Sequence, residues 1–175
     1  MEMCKEKSSF NTLGIMMVLL LIGATGVITI LFNSVYAQNT TMLGEPFLVE
    51  QGKITSQKEL SPNRTQFTFS SNGTMNGNIE VTNTGNITTI SKGNSLGFDQ
   101  GQGIISTRDG SEMANYTLIA VENIPEGGNL SYRGAAAYST NSTGELSFLN
   151  GILGIFRGEG DPQSGNFVSS EWEWK

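Results

Sequence analysis

The sequence predicts an all-β domain behind an N-terminal hydrophobic helix, and three observations lead there. After Ala37 no stretch sustains the apolar period of an amphipathic helix, whereas short alternating segments recur. Gly is abundant at 22 residues while Pro is scarce at four, and Asn-, Gly- and Asp-rich clusters separate the alternating segments, as tight turns between antiparallel strands require. The segments return at a spacing of roughly ten residues, which fits a barrel or sandwich better than βαβ units.

The chain opens with Glu2, Lys5, Glu6 and Lys7, whose charges cancel. From Leu13 to Phe32 there is no ionisable side chain. As a helix that run is long enough to cross a hydrocarbon core of ~30 Å. Val35 and Ala37 then supply the small residues of a signal-peptidase site, which would cut before Gln38. Two readings stay open. A cleaved signal peptide is favoured because Gly14, Gly23, Thr25, Gly26 and Thr29 dilute the apolar run. An uncleaved anchor competes because a signal core spans only about 7–15 residues. Either way residues 1–37 form the export segment, 38–45 a flexible tether and 46–175 the β domain. The domain is expected outside the cell or on the outer face of its membrane.

Candidate strands in order are 47–53, 65–71, 75–84, 87–92, 102–108, 114–123, 130–140, 145–156 (broken near Asn150-Gly151) and 166–174. Asn72-Gly73 and Asp109-Gly110 are the strongest hairpin signals. Thr84-Gly85-Asn86, Asn150-Gly151 and Ser164-Gly165-Asn166 are further turns. Alternation gives each strand two faces. In the last strand Val168, Ser170, Trp172 and Trp174 form the expected core face, opposite Glu171, Glu173 and Lys175. In 114–123 both faces are partly apolar, as in a strand wrapped into a closed barrel.

Composition excludes several chemistries. There is no histidine, and the only cysteine, Cys4, precedes the apolar segment. The β domain therefore lacks Ser-His-Asp and Cys-His nucleophile systems and metal sites built on imidazole or thiolate. No metal and no cofactor are expected. Without a disulfide, core burial alone must stabilise the domain. The formal net charge of −6 falls entirely beyond the export segment, and so acidic a domain with few cations is no candidate for nucleic acid. Asn-x-Ser/Thr sequons at Asn39, Asn63, Asn72, Asn86, Asn129 and Asn141 are glycosylation candidates in an exported protein. Asn115 is weaker because it falls within a strand.

The C-terminal half carries a resemblance. Gly101-Gln102-Gly103-Ile104-Ile105-Ser106-Thr107-Arg108-Asp109-Gly110 is followed by Leu130-Ser131-Tyr132-Arg133-Gly134-Ala135. Ser142-Thr143-Gly144-Glu145-Leu146-Ser147-Phe148-Leu149-Asn150-Gly151 comes next, and then Gly165-Asn166-Phe167 and Glu171-Trp172-Glu173-Trp174. Over roughly residues 65–175 this resembles uncharacterised β-barrel proteins grouped near the allene oxide cyclase and dirigent barrels. The shared motifs are turn and packing residues, so they speak to fold before activity. The resemblance implies an eight-stranded antiparallel, calycin-like barrel with a central cavity. It also implies that a small apolar molecule is bound, or a reactive intermediate steered, inside it. No catalytic carboxylate carries over.

A barrel of eight strands is just wide enough to be filled by side chains or to hold one small ligand. Polar groups within apolar strands are then the ligand-binding candidates: Arg108, Tyr116, Arg133 and Tyr138. Arg157 and Glu159 share a face, as a local ion pair would. Trp172 and Trp174 are expected to close the core. Glu80 and Glu122 have no sequence neighbour that would shift their titration, and Asp99, Asp109 and Asp161 read as turn residues. The leading expectation is an exported, non-enzymatic barrel that binds a small apolar or amphipathic molecule, attached to the membrane if its N-terminal segment is retained. A cyclase- or isomerase-like enzyme and a structural or interaction module of the cell envelope are the alternatives.

Overall fold

The computed structural model describes residues 43–93, 95–125 and 128–175. The apolar segment, the Ala37–Gln38 junction and Asn39 lie outside them. Among the described residues no helix is long and apolar enough to cross a membrane.

Eight antiparallel strands form one closed barrel in sequence order. They are β1 (Leu48–Ser61), β2 (Arg64–Met75), β3 (Ile79–Lys92), β4 (Leu96–Thr107), β5 (Met113–Asn123), β6 (Leu130–Ser139), β7 (Leu153–Gly160) and β8 (Asn166–Glu173). The seam pairs Leu48–Lys53 of β1 with Asn166–Glu171 of β8. Closure removes the unpaired edges that an open sheet would present to other chains.

Several expected breaks are continuous strand. Asn72-Gly73 does not turn: it pairs with Gln51 and Glu50 inside β2. The hairpin lies four residues later at Asn76-Gly77, where both residues have positive φ (48° and 77°), the conformation of a two-residue hairpin turn. Thr84-Gly85-Asn86 likewise runs straight through β3. By contrast Gly110, Gly151 and Gly165 all turn with positive φ, as expected.

The interior glycines serve a different purpose. Phe69 on β2 stands opposite Gly85, and Tyr116 on β5 stands opposite Gly103. A Cβ on Gly85 would come within 2.9 Å of the Phe69 ring, and one on Gly103 would meet the Tyr116 hydroxyl. Large inward side chains thus lie over strands that offer no side chain of their own, the large-beside-small packing of a narrow barrel.

The largest correction concerns β8. Its inward face is Phe167, Ser169 and Glu171, with Glu171 only 5% exposed, while Val168 and Trp174 are 55% and 61% exposed on the outer wall. The Trp face is the outside. Trp172 is buried there beneath Arg157, whose guanidinium lies 5.3 Å from the indole centroid. That cation–π contact replaces the expected Arg157–Glu159 pair.

One end of the barrel is plugged. The expected strand at 145–156 is instead a connection carrying a 3-10 turn, Ser147–Leu149, before β7 begins at Leu153. Leu146 and Leu149 are fully buried, and the Glu112 carboxylate accepts hydrogen bonds from the amides of Glu145 (3.1 Å) and Leu146 (2.7 Å). Together with Leu48, Met75 and Ile105 these leucines form a packed floor. The resemblance motif around Thr143–Leu146 is therefore the stopper of the barrel. We predict that Leu149→Ala lowers the unfolding free energy by ~2–5 kcal/mol, and that Ile119→Ala, on the outer wall, changes it by no more than ~0.5 kcal/mol. Urea titration of both variants measures the contrast.

Candidate functional site

Above the floor the lumen is not filled. A cavity of about 490 Å³ runs from the barrel centre to the opposite end, within the range of small-molecule sites. Ile54, Phe67, Ile87, Ile124 and Leu130 line its mouth, together with the β7–β8 turn at 161–165. Aromatic edges form its walls, with Phe69 and Phe167 meeting edge to face at 5.8 Å and Tyr132 and Phe156 at 6.3 Å.

The base of the cavity is polar, and alternation on six strands places it there. A bulge at Thr55 interrupts β1, but up to Ile54 its even residues face inward, so Glu50 enters the lumen. Odd residues do so on β2, β3 and β8, and even residues on β5 and β6. The result is two carboxyl groups, each held by neighbours. The Ser71 hydroxyl and the Asn83 amide donate to Glu50 Oε2 at 2.6 and 2.9 Å. The Tyr116 hydroxyl donates in turn to Asn83 Oδ1 at 2.8 Å. Tyr138 donates to Glu171 Oε2 at 2.7 Å, and its ring packs 5.4 Å from that of Tyr116. Glu171 Oε1 has no hydrogen-bond partner among the described residues, although it is fully buried. The carboxyl fits only because position 154 is glycine, where a Cβ would collide with it.

Nearer the mouth are two more carboxyls. Asp99 is a buried strand residue rather than a turn residue, and Thr89 donates to it at 2.6 Å. Glu122 lies over Gly97, where a Cβ would overlap it. Among the described residues no three such groups converge closely enough to hold a metal ion. They are spread along the lumen instead.

Burial dominates how these groups titrate. It pushes Glu171 up to about 8, against the Tyr138 hydrogen bond and with help from the charge of Glu50. Glu122 rises to about 7 through burial and the neighbouring Asp99, contrary to the expectation of an ordinary carboxylate. Glu50 and Asp99 also rise by burial, opposed by their hydrogen bonds. The Tyr116 and Tyr138 phenols are held neutral, chiefly by burial and also by the nearby carboxylates. The base of the cavity therefore keeps protons that exposed carboxyls would have released.

Of the four expected ligand-binding residues, Tyr116 and Tyr138 lie side by side in this site. Arg108 and Arg133 do not reach it. Arg108 follows β4 at the plugged end and pairs on the surface with Glu80, and Arg133 faces outward between inward Tyr132 and Gly134. Asp109 and Asp161 do take turn roles, accepting from Ser111 (3.1 Å) and Gln163 (2.8 Å) amides. Asn63, Asn72, Asn115, Asn129 and Asn141 are exposed and Asn86 is half-buried. Glu50, Asn83 and Glu171 were missed. Their one signal is a polar residue in step with Phe69, Val81 or Phe167 on its strand or the next.

The titration of Glu171 has a consequence for stability. A folded-state value near 8 against an unfolded value near 4.5 means that the folded protein binds the extra proton. Its contribution is complete below pH ~4.5 and is lost as pH rises through ~8. At about 1.4 kcal/mol per unit the loss is on the order of a few kcal/mol. Unfolding free energies measured at pH 5 and pH 9 should fall with rising pH in the wild type and fall less in Glu171→Gln.

No protein-family model matches the chain, and no curated protein is similar to it in sequence. Solved structures are similar in fold. A conserved protein of unknown function from Rhodopseudomonas palustris superposes with a TM-score of 0.58 at 12% identity, covering 74% of this chain and 95% of that one. A protein of unknown function from Clostridium acetobutylicum superposes with a TM-score of 0.61 at 11% identity, covering 74% and 96%. The chain thus shares its barrel with proteins whose activities are themselves unassigned.

Proposed function

We propose that this protein is an exported barrel that binds one small amphipathic molecule in its lumen. The single observation that carries the reading is the cavity of about 490 Å³, open at an apolar mouth and ending on the Glu50–Asn83–Tyr116 and Glu171–Tyr138 groups. A barrel with no role inside would be filled by side chains, as the plugged end is. An apolar wall with a few convergent polar groups is the usual composition of a small-molecule site.

A second reading is kept by one pair. Glu171 holds its proton up to about pH 8 beside the Tyr138 hydroxyl, which suits a general acid or base working near neutrality. That fits the isomerase or cyclase activity implied by the resemblance to the allene oxide cyclase and dirigent barrels. Under it Glu171→Gln would still bind its substrate but no longer convert it.

Export rests on the N-terminal run and on the exposed sequon asparagines, which suit glycosylation in an exporting compartment. Mass spectrometry of the mature protein should find Gln38 as its first residue. For the binding reading, Ala120 lines the cavity opposite Gly134. Ala120→Phe should lower the affinity of the full-length chain for the neutral fluorophore N-phenylnaphthylamine by about tenfold or more, with unchanged far-UV circular dichroism. Equal affinity in the folded variant would place binding elsewhere.

A further inference from the structure

We infer that the lumen selects a cationic amphiphile, a molecule with an amine head and an apolar body, over neutral or acidic molecules of the same size. The inference rests on the reading of the cavity as a binding site and adds the charge of the ligand to it.

Four carboxyl groups, Glu50, Asp99, Glu122 and Glu171, line the lumen, a fifth, Asp161, stands at its mouth, and no Lys or Arg is among the described residues lining it. The two guanidinium groups of β6 and β7, Arg133 and Arg157, both point away on the outer wall. The protein does not neutralise its own interior.

The hydrogen bonds tell the same story independently. Each donor group at the base already makes a hydrogen bond: Ser71 and Asn83 to Glu50, Tyr116 to Asn83, Tyr138 to Glu171. What is left over is Glu171 Oε1, a buried oxygen on a residue 5% exposed with no hydrogen-bond partner among the described residues. Such an atom is rare in a native interior and calls for a partner. Burial keeps a proton on this carboxyl in the empty protein, and an ammonium beside it would favour releasing that proton to leave a charged acceptor. A carboxylate or phosphate ligand would bring more acceptors and like charge. An alcohol brings one donor. An ammonium group brings three donors and the missing positive charge, and its contacts with the carboxyls become charge-assisted. The alkyl or aryl body would then extend past Leu118 and Phe156 towards Ile87 and Leu130 at the mouth.

The test uses the full-length chain and three probes of equal length, n-octylamine, n-octanol and octanoate, by titration calorimetry at pH 7. Octylamine should bind about tenfold to a hundredfold more tightly than octanol, and octanoate more weakly than either. Glu171→Gln and Glu50→Gln should each weaken octylamine by about tenfold while leaving octanol within about twofold. Equal binding of amine and alcohol, or a preference for octanoate, would overturn the charge selection while leaving the cavity reading intact. Octylamine binding that neither variant alters would also overturn it. If none of the three probes binds, both readings fall together. The wild-type ranking stands as a test even if a variant folds poorly.

Discussion

Everything in this barrel depends on its closure at the β1–β8 seam. Once Leu48 pairs with Glu171 and Glu50 with Ser169, the period of two assigns a side to every residue of both strands, and the other six follow. A slip of one residue would turn Trp172 inward and Glu171 outward, which is what hydrophobicity alone would choose. Shape prevents it. Gly52 sits where a Cβ would come within 2.5 Å of the Phe167 ring, and Gly154 leaves room for the Glu171 carboxyl. The register is chosen by which positions can be empty, and the glycines mark them.

The closed barrel then divides its labour along its axis. At the plugged end Leu48, Met75, Ile105, Leu146 and Leu149 are fully buried, and that floor supplies much of the hydrophobic stabilisation. Above it the same strands carry carboxyls into low dielectric, where the charged forms are disfavoured. Glu171 and Glu122 accordingly oppose folding more as pH rises. Sites that sacrifice stability in this way are common where function needs a group out of its comfortable environment. The floor makes the sacrifice tolerable.

Much of the architecture was legible in the sequence. Short alternating segments and turn clusters sufficed for an all-β barrel, and Asp109-Gly110, Asn150-Gly151 and Ser164-Gly165 turn as their chemistry suggests. Tyr116 and Tyr138 were recognisable as polar groups in apolar strands. The errors share one cause. Alternation yields two faces without naming the inner one, and here the outer wall is itself apolar in places: Ile119, Val168 and Trp174 are all more than half exposed. With a lumen lined by glycine and acid, the more hydrophobic face was the wrong guide for β8. Gly73 and Gly85 misled similarly, because turn propensity and packing space are served by the same residue.

That shared cause also explains why the functional groups were hidden. A carboxylate in a strand ordinarily marks the solvent face, so Glu171 reads as surface until the seam is known, and Asp99 among glycines reads as a turn. Once they are inside, the ordinary inference reverses. A buried acid beside a buried phenol is costly to keep, and this interior holds four acids with Glu171 Oε1 unpartnered among the described residues. The empty volume and the unpartnered oxygen belong to one lumen, and the proposed amphiphile would meet both.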